Sequence, residues 1–243
     1  MQIKRSFDIF LGLFILLLIT PFVIFFCFII FLYDGSNPLY ISKRIGLQGR
    51  SFRIFKIRTM VVNADKIGGT STKKSDKRLL PVGKLIRKLK LDELTQILNV
   101  INGSMSFVGP RPNTPFDVKL YSTEEKKLLS IRPGITDISS IVFSDEGDIL
   151  EKFDNPDLAY NQLIRPWKSR LGLFYINNSN LYLDIKLILL TIFNSINRKR
   201  TLKILSIITK KLGGSTQLIE IVRRKNELIP TPPPGFLNPI SEL

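Results

Sequence analysis

Histidine is missing altogether from the 243 residues. That excludes a Ser-His-Asp triad and any His-ligated metal site. Cys27 is the sole cysteine, so there is no intrachain disulfide and no thiolate zinc site. Acid is scarce as well: 20 Asp and Glu stand against 36 Lys and Arg, a net charge of +16. Such a surplus points to phosphates, anionic lipid headgroups or nucleic acid as partners. Acid-base or nucleophilic chemistry must fall to Asp, Glu, Lys, Tyr, Ser or Thr. No internal repeat is present.

Charge is also nearly absent from Phe7 to Tyr33, "FDIFLGLFILLLITPFVIFFCFIIFLY", where Asp8 stands alone at the start. The run is too long for a signal peptide, and "YDGSNP" offers no small-residue cleavage site. It reads as a membrane segment. Thr20-Pro21 divides it, and proline breaks or kinks a helix. At about 1.5 Å per residue each half is about 20 Å long, short of a hydrocarbon core of roughly 30 Å. Lys4 and Arg5 precede the run; Lys43, Arg44, Arg50 and Arg53 follow it. Cations on both flanks pull both to one side of the membrane. A re-entrant hairpin turning at Thr20-Pro21 meets these conditions, and a kinked spanning helix is the alternative.

What the chain does have is cations in ordered places. "YISKRIGLQGRSFRIFKIRTM", residues 40 to 60, alternates them with aromatic and β-branched residues, with "GLQG" as a hairpin turn. Arg53, Lys56 and Arg58 line this strand or the segment leaving it. They form a phosphate-binding row or a solvated basic face. Residues 63 to 80 read as a polar loop. Leu94, Ile97, Leu98 and Ile101 follow helical spacing, and "NG" at 102 and 103 ends that helix. Asp92 and Glu93 therefore fall in its first turn, just after "GKLIRKLK". Acids there are favoured by the helix dipole alone. Because adjacent helical side chains diverge, they also suit two different tasks. Arg111, between Pro110 and Pro112, has a stiffened backbone that suits a phosphate fork. Arg132, before Pro133-Gly134, repeats the pattern. Residues 177 to 196 predict a helix packed on the domain or lying in the interface. "NRKRTLKILSIITKKL" predicts a basic amphipathic helix on anionic lipid, with Leu205, Ile208 and Leu212 on one side. "PTPPPGFLNP" predicts an extended tail.

Together these motifs resemble the bacterial sugar transferase family, the monotopic phosphoglycosyl transferases. The resemblance runs from "KRSFD" to about Ile192. It includes "KRIGLQGRSFRIFKIRTM", "SDKRLLPVGKLIRKLKLDELTQILNVINGSMSFVGPRP", "RPGIT" and "NSNLYLDIKLILLT". It implies an α+β, mostly helical monotopic membrane protein with a re-entrant helix-break-helix, a small β-hairpin and interfacial amphipathic helices. The expected layout is a membrane segment at 1–34, a catalytic domain at 35–196 and a C-terminal extension at 197–243.

The implied reaction passes a sugar 1-phosphate from a nucleotide diphosphosugar, usually a UDP-sugar, to polyprenyl (undecaprenyl) phosphate. By that likeness Asp92 is the nucleophile that holds a phosphosugar, and Glu93 helps hold Mg2+. Arg87 and Arg111 match the family's arginines, and Lys56, Arg58 and Arg132 join them as candidate phosphate ligands. Thr20 and Pro21 match the membrane break. The implied partners are the nucleotide sugar, polyprenyl phosphate and anionic lipids, not nucleic acid; a homo-oligomer is compatible. The implied location is the bacterial inner membrane, with the catalytic domain facing the cytoplasm. Three positions depart from the family pattern: Thr95 replaces a proline, Ser104 an acid and Lys90 a serine. Two other readings stand beside the enzyme. One is a non-catalytic, membrane-tethered binder of anionic polymer; the other is a degenerate relative that acts as an assembly partner.

Overall fold

The computed structural model describes residues 2–67 and 75–242, apart from the side chains of residues 65 and 66. Part of the polar loop expected at 63 to 80 lies outside the described residues. The rest is mostly helical with two small sheets.

Helix α1 spans Gln2–Asp34 and is long and apolar enough to cross a membrane by length and composition. In an apolar setting a helix satisfies its own backbone, which is why so hydrophobic a run takes this form. One stripe faces protein along its length. Asp8, Gly12 and Ile30 are buried. Leu11, Ile15, Leu16 and Ile19 pack on the main core, and Val23, Phe26 and Cys27 pack on a second cluster around Ile57, Leu80 and Ile86. A Cβ on Gly12 would lie 3.1 Å from the Ile101 side chain, so the glycine sets how closely α1 approaches. The other face leaves Phe10, Phe14, Leu17, Phe25, Phe28 and Leu32 exposed.

Both ends of α1 are tied to the same body. Lys4 pairs with Asp184 at 2.8 Å, and Arg5 donates to the carbonyls of Val100 and Ile101. At the far end the Arg58 guanidinium grips Asp34 in a bidentate pair of 2.7 and 2.6 Å. The expected break at Thr20-Pro21 is corrected here: the α-helix continues through Pro21. Interior proline costs a helix about 3 kcal/mol. The packed stripe on either side of it offsets that cost, and the Thr20 hydroxyl donates to the Leu16 carbonyl.

Strands β1 (Leu39–Ile45) and β2 (Ser51–Ile57) form the expected antiparallel hairpin, with Lys43 opposite Arg53. Gln48 and Gly49 take positive φ in its turn, a conformation open to glycine at little cost. Helix α2 covers Pro81–Lys88. A 3₁₀ turn over Leu91–Gln96 then leads into α3, Ile97–Ile101. Strands β3 (Ser106–Val108) and β4 (Gly134–Thr136) pair in parallel, Val108 opposite Thr136. Helices α4 (Ile138–Val142), α5 (Arg165–Asn178) and α6 (Leu181–Asn194) close the core around Leu171, Tyr175 and Leu187. Each of these two leucines contributes about 1.5–3 kcal/mol on burial.

α6 packs on the domain through Leu183, Leu187 and Leu190, while Tyr182, Leu189 and Ile192 remain exposed. The lipid-facing role expected for the next helix is corrected. α7 (Arg198–Lys211) buries Leu202 and Leu205 in the main core and meets α8 (Thr216–Arg223), so protein covers its apolar side. The proline-rich tail is extended and docked: Arg170 donates to the Pro232 carbonyl, and Ser122 to that of Pro234.

Candidate active site

The dyad is presented by the 3₁₀ turn, with both acids in its first turn. Lys90, just before it, holds a left-handed backbone at φ 55°, which sharpens the reversal from α2 into the turn. Thr95 donates its hydroxyl to the Phe55 carbonyl, pinning the turn to β2. Asn99 continues the seam: its amide donates to the Arg53 carbonyl and its carbonyl oxygen accepts from the Phe55 N–H. Ser104 joins Asn99 and Asn102 beyond the far end of α3, so it supports the fold there and not the carboxylates.

The two carboxylates diverge. Glu93 Oε1 accepts from Lys56 Nζ at 3.1 Å. Arg111 forks across both Glu93 oxygens, with Nη1 to Oε2 at 3.0 Å and Nη2 to Oε1. The Glu93 side chain is 16% exposed. Burial pulls its carboxyl up, but Arg111 and then Lys56 overcome that and hold it well below the usual carboxylate range. The same pairing pushes Arg111 up. Asp92 is buried to 8% exposure. Among the described residues its carboxylate has no hydrogen bond or ion pair. Burial raises its pKa; Lys56, Arg87 and Arg111 pull the other way, and the neighbouring Glu93 charge adds to the rise.

Arg87 stands at the end of α2 and donates Nε to the Thr59 hydroxyl at 2.8 Å. A Cβ on Gly83 would fall 2.1 Å from the Thr59 carbonyl oxygen, so glycine there lets α2 lie against that strand end. Arg87 carries a lowered pKa from burial, offset by the Asp92 charge.

Lys56, Arg87 and Arg111 thus gather on the dyad. Two other expected cations do not. Arg58 is buried against Asp34 and the Asn37 carbonyl, so it is the clamp on α1. Arg132 donates to the Gly103 carbonyl, past the end of α3 opposite to the dyad. One residue beside the dyad was missed. Lys90 bears a pKa lowered by burial and opposed by Glu93. Lys168 on α5 is ion-paired with Glu146, which follows α4. The signal for Lys90 was its place beside the dyad.

The donor set bears on metal. Among the described residues no group of three His, Cys, Asp or Glu could form a metal cage. Mg2+ needs no such cage, since it takes one or two carboxylates and fills its shell with phosphate and water. Glu93 keeps lone-pair capacity on Oε2, which accepts one Arg111 nitrogen, and Asp92 is uncommitted. These residues fit an ion that arrives with a substrate diphosphate.

Comparison with known proteins bears on the same residues. The family profile described as bacterial sugar transferase matches residues 1–198. The sugar transferase EpsL of Bacillus subtilis, named as uncharacterized, is 32% identical over 192 residues, which cover 79% of this chain and 86% of that protein. The UDP-glucose:undecaprenyl-phosphate glucose-1-phosphate transferase of Escherichia coli K12 is 33% identical over 205 residues, covering 81% of this chain and 41% of its own length. The Aeromonas hydrophila enzyme named UDP-N-acetylgalactosamine-undecaprenyl-phosphate N-acetylgalactosaminephosphotransferase is 31% identical over 196 residues, 43% of its length.

Proposed function

The chain belongs to the bacterial sugar transferase family, and from that premise we propose that it transfers a sugar 1-phosphate from a UDP-sugar to polyprenyl phosphate. The observation that carries this reading is the uncommitted, buried Asp92 among Lys56, Arg87 and Arg111, beside a Glu93 that those cations already engage. An Asp92 oxygen attacks the phosphorus that bears the sugar. A P–O bond forms to Asp92, the bond to the nucleotide breaks, and UMP leaves. A phosphate oxygen of the polyprenyl phosphate then attacks the same phosphorus and frees Asp92. A carboxylate needs no neighbouring base for this, so the lack of histidine is no obstacle. Arg111 and Arg87 bind and orient phosphate oxygens, and their charge offsets repulsion between two anionic substrates. Mg2+, when held by Glu93 and substrate phosphates, would add Lewis-acid screening of the same charge.

Purified protein with undecaprenyl phosphate, Mg2+ and a panel of UDP-sugars should release UMP from at least one donor. No release from any donor, with retained salt-dependent binding of anionic polymer, favours the non-catalytic binder instead.

The same reading places the domain on the cytoplasmic face of the inner membrane, where nucleotide sugars are found, with the exposed face of α1 in the lipid. Both ends of α1 dock on that domain, through Lys4–Asp184 and Asp34–Arg58, which supports a topology with both ends on its side of the membrane. With Cys27→Ser as background, single cysteines at Gln2 and Ser36 should both escape a thiol reagent that cannot cross the inner membrane of intact cells. Labelling of Gln2→Cys alone shows a spanning helix and overturns this topology. Pro21→Leu should leave the pattern unchanged, because the contacts at the two ends fix it.

A further inference from the structure

We propose that Thr59 is a positioning residue of this site: its hydroxyl aims the Arg87 guanidinium and leaves both Nη nitrogens to fork a phosphate. The inference rests on the transferase reading above, which makes Arg87 a phosphate ligand.

The backbone ties Arg87 to the dyad. Its carbonyl accepts the Lys90 N–H at 3.0 Å, and the Lys90 carbonyl accepts the Glu93 N–H at 3.4 Å. Leu91, between them, packs with Ile86 on the second cluster. That fixes where the Arg87 side chain starts, not where it ends. A long side chain loses much rotamer freedom if substrate alone must order it.

Thr59 supplies the order. It is 5% exposed, and its hydroxyl accepts from Arg87 Nε at 2.8 Å. Among the described residues Nη1 and Nη2 of Arg87 have no hydrogen bond or ion pair. A guanidinium held by Nε presents its two outer nitrogens as a planar fork, which matches two oxygens of a phosphate. Arg111 differs, because its outer nitrogens are already on Glu93.

Thr59 is itself fixed. Its carbonyl accepts the Leu80 N–H at 2.9 Å and lies against Gly83. Leu80, Gly83 and Arg87 are spaced i, i+3, i+7 and share one face of α2 and its N-cap. Thr59 therefore meets that face at three points. The residues before it are held as well. The Phe55 carbonyl accepts the Thr95 hydroxyl, Lys56 pairs with Glu93, and Arg58 grips Asp34. One strand end thus carries Lys56 to Glu93 and Thr59 to Arg87, and two cations of the site take their register from it. Packing of α2 uses the Thr59 carbonyl, while aiming Arg87 uses the hydroxyl. A side-chain substitution therefore separates the two.

The variants are Thr59→Val, Thr59→Ser, Arg87→Lys and the double Thr59→Val with Arg87→Lys. UMP release is followed with each substrate varied in turn, and thermal unfolding checks the fold. Valine keeps the branched shape and removes the hydroxyl. Thr59→Val should lower kcat/KM by about tenfold or more, the scale of losing a hydrogen bond to a charged group. The substrate whose kcat/KM falls further identifies the phosphate that Arg87 holds. Thr59→Ser keeps the acceptor and should stay close to wild type. Lysine has no Nε to aim, so in the Arg87→Lys background Thr59→Val should cost nothing further. A merely structural Thr59 predicts the same loss in both backgrounds. That equal loss overturns the inference. So does near-normal kcat/KM in Thr59→Val, or a Thr59→Ser as weak as Thr59→Val. Where Arg87→Lys leaves no measurable rate, the contrast between Thr59→Val and Thr59→Ser decides alone. In each of these cases wild-type turnover keeps the transferase reading. Wild type that releases no UMP overturns both.

Discussion

Asp92→Asn should abolish turnover and leave folding and membrane association intact. Asparagine keeps the size and shape of the side chain and removes the charge. Among the described residues the Asp92 carboxylate has no ion pair to lose, and burial already works against its charged form. Stability should therefore hold or rise slightly. Catalysis should fall by about 10⁵ or more, the scale of removing a covalent nucleophile. Wild type incubated with labelled UDP-sugar and no acceptor should carry label on Asp92, and the variant should carry none. The pH dependence follows from the sign of the shift. In the proposed mechanism deprotonated Asp92 attacks; its pKa is raised, so kcat/KM should climb with pH through a value above the ordinary aspartate range. Because Asp92 and Glu93 interact, that value belongs to the pair. Near-normal activity in Asp92→Asn would falsify the nucleophile assignment.

How much of this was legible depends on whether the deciding contacts were local. The dyad was, because helical spacing from Leu94 to Ile101 puts Asp92 and Glu93 in a first turn. The hairpin from Leu39 to Ile57 was, through its alternation and its "GLQG" turn. Arg58 was not. Its charge reads like that of Lys56 two residues earlier, and only the fold reveals Asp34 waiting for it. Pro21 shows the same limit from the other side. The local rule breaks the helix, while packing against two clusters carries it through. The amphipathic pattern of α7 was right as a pattern, but α8 and the core cover the side that was expected to meet lipid. The parallel pairing of β3 with β4 joins three-residue strands far apart in the chain, and strands so short leave no periodicity to read.

Glu93→Gln should be the second severe loss, and its pattern should separate two jobs. Glutamine keeps an acceptor for Lys56 and Arg111 but removes the charge that both cations share. Leaving a buried cation without its partner costs about 3–5 kcal/mol. Lys56, whose charge already acts on Asp92, should then shift toward it and tie up the attacking oxygen. Turnover should fall by at least about a hundredfold, about 3 kcal/mol on the activation barrier. A Mg2+ titration tells the roles apart. If Glu93 holds the ion, half-saturation moves to higher Mg2+ in Glu93→Gln, and added Mg2+ restores part of the rate. An effect through Arg111 and Lys56 alone lowers the rate at every Mg2+ concentration and leaves half-saturation where it was. The doubled variant Glu93→Gln with Lys56→Met resolves the remaining overlap. With one of the two stranded cations removed, Asp92 should be released, and the double variant should be more active than Glu93→Gln alone if repositioned cations are the main damage. Wild-type rate and wild-type metal dependence in Glu93→Gln would remove Glu93 from the site altogether.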